Sequence, residues 1–227
     1  MIFHHEILRG GQTEALRLLT PFVTSRGFYL GGGTALALLV GHRLSVDFDW
    51  FTGERLGDPL GLAAELREAG IPFETTSMER GTLHGTISGV RISFFEYRYP
   101  FLRSTISATE FGIELASPED LACMKLSAVA QRGSRKDFVD IFALERNWFR
   151  LEDMIGFYRE KYAVSDIAHL LYGLSYFDDA DGEPMPVCLW SIEWNQVKRS
   201  IKEWVKSAST LKSGRLSTST KESPHAG

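Results

Sequence analysis

The chain has 227 residues, 44% of them hydrophobic and 24% charged, with a formal net charge of −4. That length can bury a real core in one large domain or two small ones. The acidic balance and the lack of a long basic run argue against a protein that wraps nucleic acid without regard to sequence, so any contact with RNA is expected at one end or one groove.

The opening stretch, MIFHHEILRGG, has no hydrophobic signal region and no cleavage site. No later apolar run approaches a membrane span, so the expected location is the cytoplasm, with no membrane partner. GQTEALRLLTPFVTS, 11–25, places Leu16, Leu19 and Val23 on one side of a helix, which Pro21 kinks or ends. FYL, 28–30, is a short apolar strand that runs into three glycines, and TALALLV, 34–40, is a buried helix of about two turns. LSVDFDWF, 44–51, alternates as a strand, with Ser45, Asp47 and Asp49 on one face and Val46, Phe48 and Trp50 on the other. Asp58 caps and Pro59 starts a helix through Glu68, and Gly70 closes it. IPFETTSM, GTLHGTIS and VRISFFEYRY follow as strands of a meander.

The second half is helical. Ser117 caps and Pro118 starts a helix that reaches about Gln131, with Glu119 and Asp120 in its first turn. Cys123 lies in its apolar pattern as a small core residue, and neither it nor Cys188 belongs to a disulfide, zinc or catalytic pattern. The RGS turn separates this helix from a second, 135–147. LEDMIGFYREKY, SDIAHLLYGLSYF and SIEWNQVKRSIKEWVKS are further helices, and Trp190, Trp194 and Trp204 read as core. The Ser/Thr/Lys-rich stretch from Ser207 is expected to be disordered. The fold class is therefore α/β (α+β): a mixed sheet with flanking helices over 1–112, a helical domain over 113–206, and a tail over 207–227.

Two features carry chemistry. Gly31, Gly32 and Gly33 permit a sharp turn and close approach to a ligand, and the helix that follows aims free N–H groups and a positive dipole end at it. Alone, such a turn is as often only a turn. The aspartates are more telling: aspartate is poor in strands, and Asp47 and Asp49 repel each other unless a cation lies between them. Magnesium takes carboxylate oxygens together with phosphate oxygens and water, and metal ions clamp in-line displacement at phosphorus.

GGGTALALLVGHRLSVDFDWF is similar to the first motif of the nucleotidyltransferase superfamily, and more closely to the AbiEii/AbiGii-type toxin family, which includes the MenT-like enzymes. The matching residues are Gly32, Gly33, Thr34, Ala35 and Leu36, then Gly41, His42, Arg43, Ser45, Asp47 and Asp49. The similarity continues through LHGTISGVRISFFEYRYP and ASPEDLACMKLSAVAQRGSRKDFVDIFAL, so that it spans roughly residues 27–145. The resemblance implies a nucleotidyltransferase-like fold. It implies Mg²⁺ (or Mn²⁺) on Asp47 and Asp49, and an NTP whose triphosphate lies at the glycine turn near Thr34, Arg43 and Ser45. It further implies a phosphate contact for Lys125 and a catalytic acidic role for Asp137. The activity so implied is metal-dependent transfer of a nucleoside monophosphate to an acceptor hydroxyl, the tRNA 3′ end among them, by a toxin that a cognate antitoxin relieves.

Read without the resemblance, Lys125 is an exposed helix lysine and Asp137 a first-turn acid stabilised by the helix dipole. Asp140 shares a helix face with Asp137 and is expected to pair with Lys136 or Arg135. Arg43 either holds the nucleotide or pairs with a nearby acid. His42 reads as a hydrogen-bonded turn residue and His84 as structural. The basic turn QRGSRK, 131–136, either steers an acidic acceptor or is simply solvated. Many nucleotidyltransferases add a third carboxylate on a later strand. That slot here is Ser93, with Glu96 on the opposite face, which leaves a site completed elsewhere, as by Asp137, or a weakened catalyst. The rival readings are a non-catalytic nucleotide- or partner-binding module and a metal-dependent glycosyltransferase.

Overall fold

The computed structural model describes residues 2–216; of the tail expected from Ser207, residues 217–227 lie outside the described residues. Helix α1, Gly10–Ser25, carries Pro21 inside it without ending there. It leads to strand β1, Tyr29–Leu30, helix α2, Gly32–Val40, and strand β2, Phe48–Thr52. Helix α3, Pro59–Glu68, starts where the Asp58 side chain accepts the Leu60 N–H, with Pro59 fixing the first turn. Strands β3, Glu74–Glu79, β4, Thr82–Ile87, and β5, Val90–Glu96, form the meander, followed by a hairpin of β6, Ile106–Ala108, and β7, Ile113–Leu115.

The seven strands make one mixed sheet in the order β3-β4-β5-β2-β1-β7-β6. Only the β2–β5 and β1–β7 pairs are parallel. The hairpin was not visible in the sequence reading, because its strands have three residues each, too short for a period to emerge. Since β7 lies against β1 inside the sheet, the sheet continues past the boundary expected at 112.

One sheet face is apolar. Phe48, Trp50, Leu83, Ile92 and Phe94 are fully buried on it, where α1 and α3 pack. The alternation expected for 44–51 holds only from Asp47 onward. Residues 44–47 precede the ladder, and Val46, expected beside Phe48 and Trp50, is 57% exposed.

The helical half packs on the other side, around α2. Helix α4, Pro118–Gln131, is capped by Ser117, whose side chain accepts the Asp120 N–H. It packs on α5, Arg135–Asn147, α6, Leu151–Tyr162, and α7, Ala168–Ser175. After the short α8, Asp178–Asp181, the chain passes over residues 42–44, where Leu44 N–H donates to Val187 O at 2.8 Å and Leu189 N–H to His42 O at 2.8 Å. Helix α9, Trp194–Leu216, then packs on α5, α6 and α7, and runs on past residue 206. Trp190, Trp194 and Trp204 lie against the core, as expected.

Candidate active site

The glycine turn and the aspartate strand are built against each other. Gly31, in extended backbone, donates its N–H to the Asp49 carbonyl at 2.9 Å, and Gly32 then turns with φ of +65°, a left-handed value that favours glycine. A Cβ on Gly32 would fall on the Asp49 carboxylate, and one on Gly33 would stand 2.6 Å from Arg43 Nη2 and 3.1 Å from Ser45 Oγ. Gly32 combines a left-handed φ with close approach to Asp49, and Gly33 lies against the Arg43 guanidinium. Thr34 departs from expectation. It is buried, and its hydroxyl donates to the Asp47 carbonyl, so it ties helix to strand instead of facing a ligand.

Both carboxylates line a cavity of about 550 Å³ together with Gly32, Gly33, Ser45 and Lys125. Asp49 is partly exposed at the cavity wall, and desolvation raises its pKa; the nearby Lys125 ammonium opposes that shift, while Asp47 adds to it. Among the described residues no side chain donates a hydrogen bond to the Asp49 carboxylate. Asp47 has a cation already: Arg91 of β5 grips it from 2.6 Å through Nε and 3.0 Å through Nη2.

Behind the cavity wall lies a buried charge network. Asp140, fully buried, accepts from Arg43 Nε at 2.7 Å and Nη2 at 2.9 Å, forms an ion pair with Lys125 Nζ at 2.7 Å, and sits 2.7 Å from His42 Nε2. Burial alone would raise its pKa, but Arg43, Lys125 and His42 outweigh burial and hold it well below the usual carboxylate range. Asp137 accepts from Arg132 at 2.8 and 3.1 Å and from Lys125 at 3.3 Å, and its pKa is likewise lowered against the opposing effect of burial. The expectation that Asp140 pairs with Lys136 or Arg135 is thus corrected: its partners come from the 42–43 loop and α4. Arg43 resolves toward the ion pair, while still lining the cavity. Lys125 is buried, not exposed on its helix. It has three donors; two carboxylates engage it from behind, and it faces the cavity with the rest.

Asp137 does not line the cavity, and both its oxygens are held by Arg132 and Lys125, as both oxygens of Asp47 are held by Arg91. Arg132 and Lys136, from the basic turn, do reach the cavity.

The far half of the cavity is aromatic. Phe51 and Phe95 continue the faces of Asp49 and Ser93 along β2 and β5, with centroids 5.0 Å apart, and Tyr97 and Tyr162 join hydroxyls at 2.5 Å. Burial raises the pKa of both phenols, so they stay protonated. The segment that carries Tyr97, Tyr99 and Phe101 is anchored by the buried pair Lys161 and Asp120, 2.6 Å apart; Lys161 also donates to Pro100 O at 2.8 Å and lies over the Tyr97 ring. The sequence reading missed this wall. Its signal was present, since Phe51 and Phe95 share the aspartates' alternation, but an aromatic run in a strand reads first as core.

The donor set fits a hard divalent cation that arrives with a phosphate. Two carboxylates face one cavity, and one of them has no side-chain hydrogen-bond donor among the described residues. Among the described residues no group of three or more His, Cys, Asp or Glu could hold a metal.

Cys123 is buried, and burial pushes its thiol up to about 12, which removes it from nucleophilic chemistry. Among the described residues no helix is long and apolar enough to cross a membrane.

Comparison with known proteins agrees with this geometry. An uncharacterized protein of Aquifex aeolicus is 35% identical over 206 residues, 87% of this chain and 98% of that one. Among solved structures, a chain from H. pylori assigned as a candidate nucleotidyltransferase matches with a TM-score of 0.55 at 14% identity, covering 88% of this chain and 94% of its own. MenT4, a nucleotidyltransferase toxin of Mycobacterium tuberculosis, matches with a TM-score of 0.53 at 11% identity, covering 86% of this chain and 82% of its own. At those identities the two structures speak for the fold alone. The family model of the nucleotidyl transferase AbiEii toxin of type IV toxin–antitoxin systems matches residues 17–108 and 90–208, and the chain therefore belongs to that family.

Proposed function

We propose that the protein transfers a nucleoside monophosphate from an NTP to an acceptor hydroxyl in a metal-dependent reaction, with Asp47 and Asp49 as the metal ligands. The observation that carries this reading is the shared wall of one cavity: two carboxylates, a glycine-started helix and a buried lysine, all within it. A bound Mg²⁺ or Mn²⁺ would neutralise triphosphate charge and polarise the α-phosphorus. The Gly32–Gly33 turn offers backbone N–H groups at the helix N-terminus to the triphosphate, with Ser45 beside them. Lys125, pinned by Asp137 and Asp140, presents its remaining N–H donation to the departing pyrophosphate without first having to be ordered. Arg132 and Lys136 add positive charge at the same end. The aromatic half, with Tyr97 and Tyr162, seats a base by stacking and hydroxyl contacts.

Family membership supports an RNA acceptor, with the tRNA 3′ end foremost, an antitoxin partner and a cytoplasmic reaction as parts of this reading. The test is incubation with Mg²⁺, each α-labelled NTP and total RNA whose 3′ ends are either intact or oxidised by periodate. Label on tRNA that disappears after oxidation supports the acceptor. Label on protein, or on RNA regardless of its ends, sends the acceptor assignment elsewhere while keeping the transfer chemistry.

A further inference from the structure

Ser93, which the sequence reading set in the slot of a third carboxylate, has a partner in the structure, His84. The parallel β2–β5 register sets Ser93 beside Asp49, and the antiparallel β4–β5 register sets it beside His84. Asp49, Ser93 and His84 therefore form a row across three adjacent strands. Ile92 and Phe94 are fully buried on the core face, so Ser93 points to the opposite one, with Arg91 and Phe95. Arg91 grips Asp47, and Phe95 lines the cavity. Ser93 and His84 stand just outside the lining of the cavity, and Ser93 lies between Asp49 across the ladder and Phe95 along its own strand, both of which line it. His84 Nδ1 lies 2.9 Å from Ser93 Oγ, and its ring packs edge-on against Phe95, with centroids 5.5 Å apart. The pair is only half-buried, so its hydrogen bond is not required to satisfy a desolvated group.

We propose that Ser93 and His84 together receive the proton of the acceptor hydroxyl, in place of the missing carboxylate. The proposal rests on the nucleotidyl-transfer reading above. With Nδ1 as the acceptor, the Ser93 hydroxyl donates to it across the 2.9 Å contact. As the acceptor oxygen forms its bond to the α-phosphorus, the bond from that phosphorus to the bridging oxygen breaks, and pyrophosphate leaves with the electron pair. The acceptor proton passes to Ser93 Oγ while the serine's own proton moves to His84 Nδ1. The resulting imidazolium returns a proton to water through its solvent side. A hydroxyl backed by a histidine is a familiar proton path in enzymes. It also spares the site a third negative charge next to Asp47 and Asp49.

The test compares His84→Gln, Ser93→Ala and the double variant His84→Gln/Ser93→Asp in label transfer, with Mn²⁺–NTP binding measured alongside. His84→Ala is assayed with and without added imidazole. Each single variant is expected to lower kcat by about 10²–10⁴-fold while nucleotide binding stays at the wild-type level. Restoring a carboxylate in the double variant, or supplying imidazole to His84→Ala, is expected to recover most of the lost rate. A wild-type rate in His84→Gln, or a loss that neither the carboxylate nor imidazole repairs, overturns the proposal. If the wild-type protein itself transfers no label, it is the underlying reading that fails.

Discussion

At the scale of single residues, the site sacrifices stability for charge placement. Asp49 is a partly exposed carboxylate at the cavity wall whose pKa is raised, mainly by desolvation. A raised carboxylate pKa means that the folded protein binds the proton more tightly than the unfolded chain, so its contribution is present at low pH and lost as pH rises through the folded value. Toward neutral pH Asp49 is therefore a cost to folding. Asp49→Asn is expected to melt at a higher temperature than wild type while losing at least about 10²-fold in transfer rate; a lower melting temperature would contradict this electrostatic account. Gly32→Ala should lose both stability and activity. Its φ of +65° suits glycine, a non-glycine residue there costs about 1–3 kcal/mol, and the new Cβ meets the Asp49 carboxylate. Denaturant melts and nucleotide titration check it together. Gly32, Gly33, Asp47 and Asp49 were legible in the sequence because they lie close together and a strand period fixes their faces. Thr34 and Arg43 were not, because what decides their roles is a partner distant in the chain: a carbonyl on β2 and a carboxylate on α5.

At the scale of elements, the 42–44 loop, α4 and α5 are held as one unit by Asp140. Asp140→Ala leaves Arg43 and Lys125 without their shared carboxylate and is expected to cost about 3–5 kcal/mol, measured by chemical denaturation. A loss under about 1 kcal/mol would mean that the pair behaves like a surface bridge. The same unit predicts the acid response. Burial lowers the His42 pKa against the pull of Asp140, and among the described residues His42 Nδ1 has no hydrogen-bond partner, which fits a neutral ring donating from Nε2. A depressed histidine pKa means that the unfolded chain takes up the proton first. Stability is then full above the unfolded value of about 6.5 and falls as pH drops below it. His42→Gln should flatten that limb. Asp137 and Asp140, both lowered, should add a second loss below about pH 4. A pH series of melting curves on the two proteins separates these windows. Most helices were legible from capping residues such as Asp58 and Ser117. The β6–β7 hairpin was not, since three-residue strands carry no readable period.

At the scale of the whole molecule, the cavity is a seam between the sheet and the helical half: charge at one end, aromatic rings at the other. Its charged end comes from sequence neighbours of the motif residues. Its aromatic end is assembled from β2, β5, α6 and the segment after β5, which explains why it escaped sequence reading. Tyr97→Ala is expected to weaken nucleotide binding by about 1–3 kcal/mol, raising KM more than it lowers kcat. Lys161→Met should act in the same direction through the loosened segment between Tyr97 and Phe101. Equal losses in kcat and kcat/KM for Tyr97→Ala would instead place that ring at the reacting centre.

The central claim is that this cavity breaks the bond between the α- and β-phosphates at a site built on Asp47 and Asp49. The most direct measurement pairs α-labelled with γ-labelled NTP, in Mg²⁺ with total RNA, for wild type and Asp49→Asn. The account predicts that wild type transfers the α label and releases the γ label as pyrophosphate, and that Asp49→Asn does neither. Transfer of the γ label, or α-label transfer that survives Asp49→Asn, would contradict it.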